Sequence, residues 1–417
     1  METLRIGIVG CGRILPAHFR GFRRLREAGI DDFRVTALVA RNPDDAARFR
    51  KRGEGPAPRP PVSRNPGDAL AAPHSYVSDF QPEEEATIYE SVEAMLAADA
   101  VDAVAITATL SVHHTVGVAC LQAGKHLLVE KPLAITVRAA KLLVDEAERQ
   151  DRKIAVAETV RYLPENRLAH WMIERGRIGD PQMVMAVSIG TPEWSPDWIV
   201  ADTPWRHDKL QAGGGTAIDI GVHLVHRLRY LVGEIDRVSA VARTFEPLRY
   251  RRGERHREVI HPDVDDAFFA LPEFRNGATG TISFSWAGHG DPTGLPEGLA
   301  IYGSRGCLKD TLLIDDHGHR EEASEIFERE ADASLRRRLR PAGLLDPFAL
   351  AYYDWFQAIR SGGQPEASGV EALRDLATAY AILESAEAGR AVAVDDVLSG
   401  TVDRYQRPID EYYGLVG

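Results

Sequence analysis

A doubly wound α/β sheet, followed by an α+β domain with an open, mostly antiparallel sheet, is the architecture this sequence predicts. Three observations carry it. An apolar strand near the N-terminus runs straight into a glycine pair. Apolar strands then alternate with helices whose apolar residues recur every three or four positions, as far as about residue 157. After about residue 160 the texture shifts to longer, alternating strand segments.

Leu4 to Gly10 reads as a buried parallel strand, and Pro16 to Ala28 as a helix with Phe19, Phe22 and Leu25 on one face. Val35 to Ala40 is the next strand and Asp44 to Lys51 the next helix. Residues 53–75 are proline-rich and lack periodicity, so they read as a surface insertion or a poorly ordered loop. Strand signals resume at Tyr76. Helix Val92 to Ala98, strand Ala103 to Thr107, helix His114 to Ala123 with Gly124 as its stop, and strand His126 to Val129 follow. Helix Arg138 to Gln150 and strand Ile154 to Ala157 complete a first domain, 1–157.

The second domain is expected over 158–417. Arg161 to Arg175 reads as a helix. Strands are expected at Met183 to Ile189, Val238 to Thr244, Ala267 to Leu271, Thr279 to Trp286, Leu299 to Tyr302 and Cys307 to Leu313, with Gly277 in a hairpin. The charged stretch Asp315 to Pro341, which carries Arg336-Arg337-Arg338-Leu339-Arg340, reads as a solvated helix face or a subunit contact. Helices Phe348 to Arg360 and Glu371 to Ala388 close the chain, either within the second domain or packed back on the first.

The chain has 417 residues, 44% of them apolar, which suits two cores rather than one. A net charge of −12 argues against a nucleic-acid or anionic membrane surface as partner. No apolar run approaches the roughly 20 residues of a membrane span, and the N-terminus has no signal-peptide pattern. Cys11, Cys120 and Cys307 are far apart and form no CxxC pair. A reducing, cytoplasmic setting without disulfides or structural zinc is expected.

Gly10-Cys11-Gly12-Arg13-Ile14-Leu15 lies between a strand and a helix. The first glycine permits the tight turn. The second lets backbone approach a pyrophosphate resting on the helix N-terminus. Leu15 replaces the third glycine of the fingerprint. The first domain is therefore expected to be a Rossmann dinucleotide-binding domain. An acidic residue ending the second strand would hold the ribose hydroxyls of NAD, but the chain reads Val39-Ala40-Arg41-Asn42-Pro43. Arg41 favours the 2′-phosphate of NADP, with NAD as the alternative in which Arg41 stacks on adenine or faces solvent. Glu130-Lys131-Pro132 ends the strand His126 to Val129. Ligands of such sheets sit beyond the carboxyl ends of the strands, so Lys131 is a cation on a stiff mount beside the cofactor.

With these motifs, and with Ala381 to Arg390 as closing helix, the chain resembles the glucose–fructose oxidoreductase, inositol dehydrogenase and rhizopine catabolism family (Gfo/Idh/MocA) over nearly its whole length. The string Ala123 to Ala134, around Glu130-Lys131-Pro132, is the most specific part of the likeness. The resemblance implies oxidation of a secondary alcohol of a sugar or cyclitol, or the reverse. In the loop after the fourth strand, the family's Thr-Pro-Asn and histidine become Thr107-Ala108-Thr109 and His113. Thr107 and Thr109 are then expected at the cofactor. His113 either packs against the cofactor or caps the turn. Glu130 is expected to hold Lys131 or a backbone group beside the cofactor.

Gly213-Gly214-Gly215 precedes Asp219, His223 and His226, whose spacing puts all three on one helix face. The resemblance makes His223 the base, Lys131 the cation that eases alkoxide formation, and Asp219 the orienting carboxylate. His226 stands where the family commonly has aspartate, and is expected at the substrate. No metal is expected. Arg161, in Arg161-Tyr162-Leu163-Pro164, reaches substrate or cofactor or forms an ion pair between domains. Trp194, Trp198, Trp205 and Arg206 cluster before the glycines, where aromatic faces suit a sugar ring and Arg206 suits a polar substrate group.

The function expected is an NAD(P)-dependent dehydrogenase of a sugar, sugar derivative or cyclitol. Two alternatives stay open. One is an enzyme with tightly held NAD(P) that cleaves or epimerises a glycoside through transient oxidation. The other is a non-catalytic NAD(P) or metabolite sensor. An open sheet with a bare face implies a homodimer or homotetramer.

Overall fold

In the computed structural model, the described residues are 3–190, 203–250, 259–289 and 298–416. They form two compact units. One comprises Met1–Ile135, Ala139–Tyr162 and Arg340–Ala372; the other comprises Thr136–Arg138, Leu163–Leu339 and Leu373–Gly417.

The first unit runs β1 (Leu4–Val9), α1 (Leu15–Glu27), β2 (Phe33–Val39), α2 (Pro43–Arg50), α3 (Val77–Phe80), β3 (Thr87–Tyr89), α4 (Val92–Ala97), β4 (Ala103–Ile106), α5 (His113–Gln122), β5 (His126–Val129), α6 (Val137–Arg149) and β6 (Ile154–Val156). The six strands are parallel in the order β3-β2-β1-β4-β5-β6. The order reverses between β1 and β4, which opens the ligand crevice at their carboxyl ends. The helices cover the sheet because their apolar residues face it: Phe19, Phe22 and Leu25 of α1 are fully buried.

One sequence reading changes here, and one is narrowed to the surface insertion. The segment at Tyr76 is not a strand but the start of α3, because the Asp79 carboxylate accepts the Tyr76 N–H at 3.0 Å and caps the turn. The proline-rich segment packs on the unit and carries a 3₁₀ turn at Ala69–Ala71.

The second unit runs α7 (Pro164–Glu174), β7 (Pro181–Ile189), α8 (Lys209–Ala212), α9 (Thr216–Asp219), α10 (Gly221–Leu231), β8 (Ile235–Arg243), β9 (Arg249–Tyr250), β10 (Val259–Ile260), β11 (Ala267–Phe274), β12 (Thr279–Ser285), β13 (Leu299–Gly303), β14 (Gly306–Lys309), β15 (Leu312–Asp315), β16 (Arg320–Glu322), α11 (Ala323–Glu330) and α12 (Ala333–Leu339). Next come α13 (Pro347–Ser361), which belongs to the first unit, and α14 (Gly369–Ala388), within which the division falls. β17 (Val392–Ala393), α15 (Val394–Ser399) and α16 (Arg407–Tyr412) finish the second unit. Rings on α13 complete the first core: Tyr352 lies 4.1 Å from Phe22 and Phe356 lies 5.4 Å from Phe33.

The large sheet has the order β16-β15-β14-β13-β7-β12-β11-β8-β17. Its pairs are antiparallel apart from β7–β12. One face is packed and the other is bare. On β11, Phe268, Ala270 and Phe274 are buried while Phe269 and Leu271 face out. Val241 stands opposite Phe269 on the same bare face, and Met183 and Met185 are exposed on β7.

Cys307 to Leu313 is not one strand but the hairpin β14–β15, turned at Asp310 with φ 54°. The Arg161 to Arg175 helix starts only at Pro164, after a 3₁₀ turn at Thr159–Arg161, because proline fits a first helical turn better than an interior. The charged stretch forms β15–β16, α11 and α12, with exposed ion pairs such as Arg338–Glu174 at 3.3 Å.

Candidate active site

The nucleotide end of the first unit is built at the carboxyl ends of β1, β2, β4 and β5. Gly10 has φ +103°, and a Cβ there would lie 2.4 Å from the Ala108 nitrogen, so only glycine fits between the β1 turn and the β4 loop. Around Gly12 the nearest atom to an added Cβ is 4.0 Å away. That open backbone is the cradle a pyrophosphate needs. Arg13 is exposed and Ile14 half-buried, while Leu15 is buried in the first turn of α1. The Thr107 hydroxyl donates to the Gly10 carbonyl and ties the two loops together. Thr109 and Arg41 are exposed at their strand ends, and Asn42 caps α2 by accepting the Asp44 N–H at 3.1 Å.

Glu130 holds the Lys131 backbone, as expected of it, and His113 takes the turn-bracing alternative. His113 is buried, with its two ring nitrogens 3.1 Å from the Pro132 and Ala108 carbonyls. It braces the Lys131-Pro132 turn against the β4 loop, and burial holds its pKa down. Glu130 turns inward. One carboxylate oxygen accepts the Lys131 N–H at 3.2 Å and the other accepts His18 Nε2–H at 2.8 Å. Tyr352 O–H donates to His18 Nδ1 at 2.9 Å. Burial pushes the Glu130 carboxyl up, but the hydrogen bond from His18 and the nearby Lys131 charge outweigh it, so its pKa lies below the usual value.

His18 and Tyr352 were not read as site residues from the sequence. The signal for His18 was present: a histidine four residues before Phe22 and seven before Leu25, on the apolar face of α1. For Tyr352 there was none, since it lies 334 residues from its partner. Lys131 itself is half-buried at the mouth of β5.

The second unit holds Asp219 and His223, on two helices rather than one. The chain breaks at Ile220 (φ −110°, ψ −37°) between α9 and α10. Asp265 builds the entry to α9. Its carboxylate accepts the Gly215 N–H at 2.8 Å, the Ala217 N–H at 2.9 Å and the Thr216 hydroxyl. A Cβ on Gly215 would sit 1.7 Å from the Asp265 carbonyl oxygen, which explains the last of the three glycines. Asp219 pairs with Arg206 at 3.0 Å, and the Arg206 guanidinium lies 4.3 Å from the centre of the Trp205 ring. Trp205, Arg206, Asp219 and His223 are all half-buried. Arg161, in the first unit, pairs with Glu366 of the same unit at 3.3 Å. Trp194 and Trp198 lie outside the described residues.

His226 corrects the expectation of a shared face. It is buried, with Nδ1 2.7 Å from Asp375, whose other oxygen takes Arg229. Three residues past His223, it points into the packing against α14 rather than beside Asp219. Burial alone would raise the Asp375 pKa, but the charges of His226 and Arg229 and their hydrogen bonds depress it. A depressed carboxyl contributes stability that is complete above its unfolded value, about 3.9, and is lost as pH falls through the folded one. Asp375→Asn is expected to cost about 3 kcal/mol near neutrality, by removing the buried charge that His226 and Arg229 share, although Arg229 keeps Glu234 at 2.7 Å. The penalty should shrink under acid. Urea titrations from neutral to acid pH test this, and a penalty independent of pH would sink it.

Strand order, glycine turn and strand-end lysine together define an oxidoreductase with a Rossmann nucleotide-binding domain. The chain belongs to the Gfo/Idh/MocA family: residues 4–158 match the model of the oxidoreductase family with NAD-binding Rossmann fold, and residues 166–309 match the GFO/IDH/MocA C-terminal domain. Among curated relatives, levoglucosan dehydrogenase of Pseudarthrobacter phenanthrenivorans is 29% identical over 66% of this chain and 75% of its own. The myo-inositol 2-dehydrogenase of Thermotoga maritima is 24% identical over 95% of this chain and all of its own. A levoglucosan dehydrogenase structure with NADH and L-sorbose has the same fold, with TM-score 0.71 and 22% identity over 94% of this chain and 99% of that one.

Proposed function

We propose that this chain transfers hydride between a nicotinamide cofactor, NADP, and a secondary alcohol of a sugar, sugar derivative or cyclitol. The observation that carries the reading is Lys131 at the carboxyl end of β5, anchored through Glu130 inside a nucleotide-binding sheet. A nicotinamide held beyond the carboxyl ends of β1 and β4 would supply the hydride acceptor or donor. In the oxidation direction, the Lys131 ammonium stabilises the developing alkoxide and His223 receives the hydroxyl proton. Asp219 keeps Arg206 in place, and Arg206 with Trp205 offers a hydrogen-bonding plane and an apolar face to a sugar ring. Arg41 at the end of β2, where an NAD site would place a carboxylate, favours the 2′-phosphate. Relatives named for levoglucosan, myo-inositol and D-apiose supply the substrate class.

The test is turnover. The chain is mixed with NADP or NAD and a panel containing levoglucosan, myo-inositol, D-apiose and D-glucosides, and reduced nicotinamide is followed by absorbance. Saturable turnover of at least one member is expected. None with either cofactor would defeat the proposal.

The bare sheet face supports assembly into a homodimer or homotetramer. Val241, Phe269, Leu271, Met183 and Met185 form an apolar patch that a second copy would cover. Phe269→Glu with Leu271→Glu is expected to yield monomers in light scattering, with the circular dichroism spectrum preserved. An unchanged mass would remove this face as the interface. Among the described residues no helix is long and apolar enough to cross a membrane, and the three cysteines are buried thiols, which suits a reducing cytoplasm.

A further inference from the structure

We propose that the proline-rich segment 53–75 is a strap across the adenosine end of the cofactor site, and that its Arg59 makes the site selective for a 2′-phosphate. The proposal rests on the NADP reading and deepens it.

The strap is pinned at both ends. At α2, Gly55 (φ +65°) runs so close that a Cβ would lie 2.7 Å from the Ala47 carbonyl carbon. Arg48 donates to the Ala57 carbonyl, and the His74 ring stacks on Phe49 at 4.5 Å. Between these contacts Ala69 and Ala72 pack with Ala17 of α1 and with Ile14 of the glycine turn. The segment therefore leaves the helix after β2, reaches the helix after β1 and returns to the helix after β2. Those two strand ends flank the crevice where the adenosine ribose and pyrophosphate of a dinucleotide rest.

Arg59 lies between these anchors, with Pro58 and Pro60 on either side. Fixed φ angles on both flanks give its side chain a stiff mount. The guanidinium pairs with Asp45 in the first turn of α2, four residues after Arg41. The charges of Asp45 and Arg59 both act on the Cys11 thiol between the fingerprint glycines; burial, the main cause, and Asp45 push that thiol up to about 12, against Arg59. Glycine turn, β2 end and strap thus share one small region.

Asp45 alone would repel a phosphate dianion bound at Arg41. Arg59 cancels that charge, helped by Arg48 at 3.6 Å. A guanidinium carries five N–H donors in a planar fork, and Asp45 occupies only part of it, so the same side chain has donors for a second anion.

Dissociation constants of NADPH and NADH, measured by fluorescence titration of the full chain, test the proposal in wild type, Arg59→Ala, Arg59→Glu and Arg41→Ala. Arg59→Ala is expected to weaken NADPH about tenfold and Arg59→Glu more, with NADH within about twofold. Added salt should shrink the difference. A wild type that prefers NADPH but keeps its preference in both Arg59 variants would overturn the strap's role and leave the NADP reading standing. Equal loss of both cofactors would also overturn it, by making the strap a purely structural clamp. A wild type that prefers NADH would overturn both, and the Arg41→Ala titration would then show no selective loss.

Discussion

Lys131→Met is expected to lower kcat by about 10³-fold or more while cofactor affinity stays within about twofold. Methionine keeps much of the side chain's length and apolar stem but removes the ammonium. The backbone at this position should not move, because it is fixed by the Glu130 carboxylate on the Lys131 N–H and by the brace of His113 on the Pro132 carbonyl. What the substitution removes is the ammonium to which the proposed mechanism assigns the developing alkoxide. Pre-steady-state traces with saturating cofactor would place the loss in the hydride step. A kcat within tenfold of wild type would remove Lys131 from the chemistry.

His18→Leu should cost about 3 kcal/mol of stability and lower kcat as well. Leucine leaves the half-buried Glu130 carboxylate and the buried Tyr352 hydroxyl without the imidazole that joins them. Glu130 then protonates or turns to another donor, and the anchor under Lys131 loosens. His18→Gln is the informative control. Its amide N–H replaces the donor to Glu130 and its carbonyl replaces the acceptor for Tyr352, so most of the stability and turnover should return. Because the folded Glu130 pKa is depressed, its contribution is whole above the unfolded value, about 4.3, and fades as pH falls through the folded one. The gap between wild type and His18→Leu should therefore narrow in acid. Denaturant titrations and kcat measured side by side decide the matter. Equal stability of His18→Leu and wild type would show that the chain of three groups holds nothing in place.

Local chemistry made much of this molecule readable before any coordinates. Gly10 and Gly12 announced a nucleotide turn because φ and steric clearance are local properties of a strand–turn–helix. Lys131 announced itself because proline stops a strand at a defined point. Where the reading failed, a longer-range partner had decided the outcome. Tyr76 looked extended until Asp79 capped a helix over it. Asp219, His223 and His226 looked like one face of one helix, yet Asp265 starts a short separate turn and Asp375 claims His226. Residues 53–75 looked structureless because proline and glycine carry no periodicity, and their order comes from packing on α1 and α2.

The sequence by itself determined the class of fold, the nucleotide turn and the strand-end lysine, since each follows from periodicity or from backbone rules acting over a few residues. Only the tertiary structure decided which side chains those residues lean on. The Tyr352–His18–Glu130 chain, the Asp265 cap and the Arg59–Asp45 pair join positions separated by 14 to 334 residues. A polar side chain buried by folding must find its partner wherever the fold brings one, and no local pattern encodes that meeting.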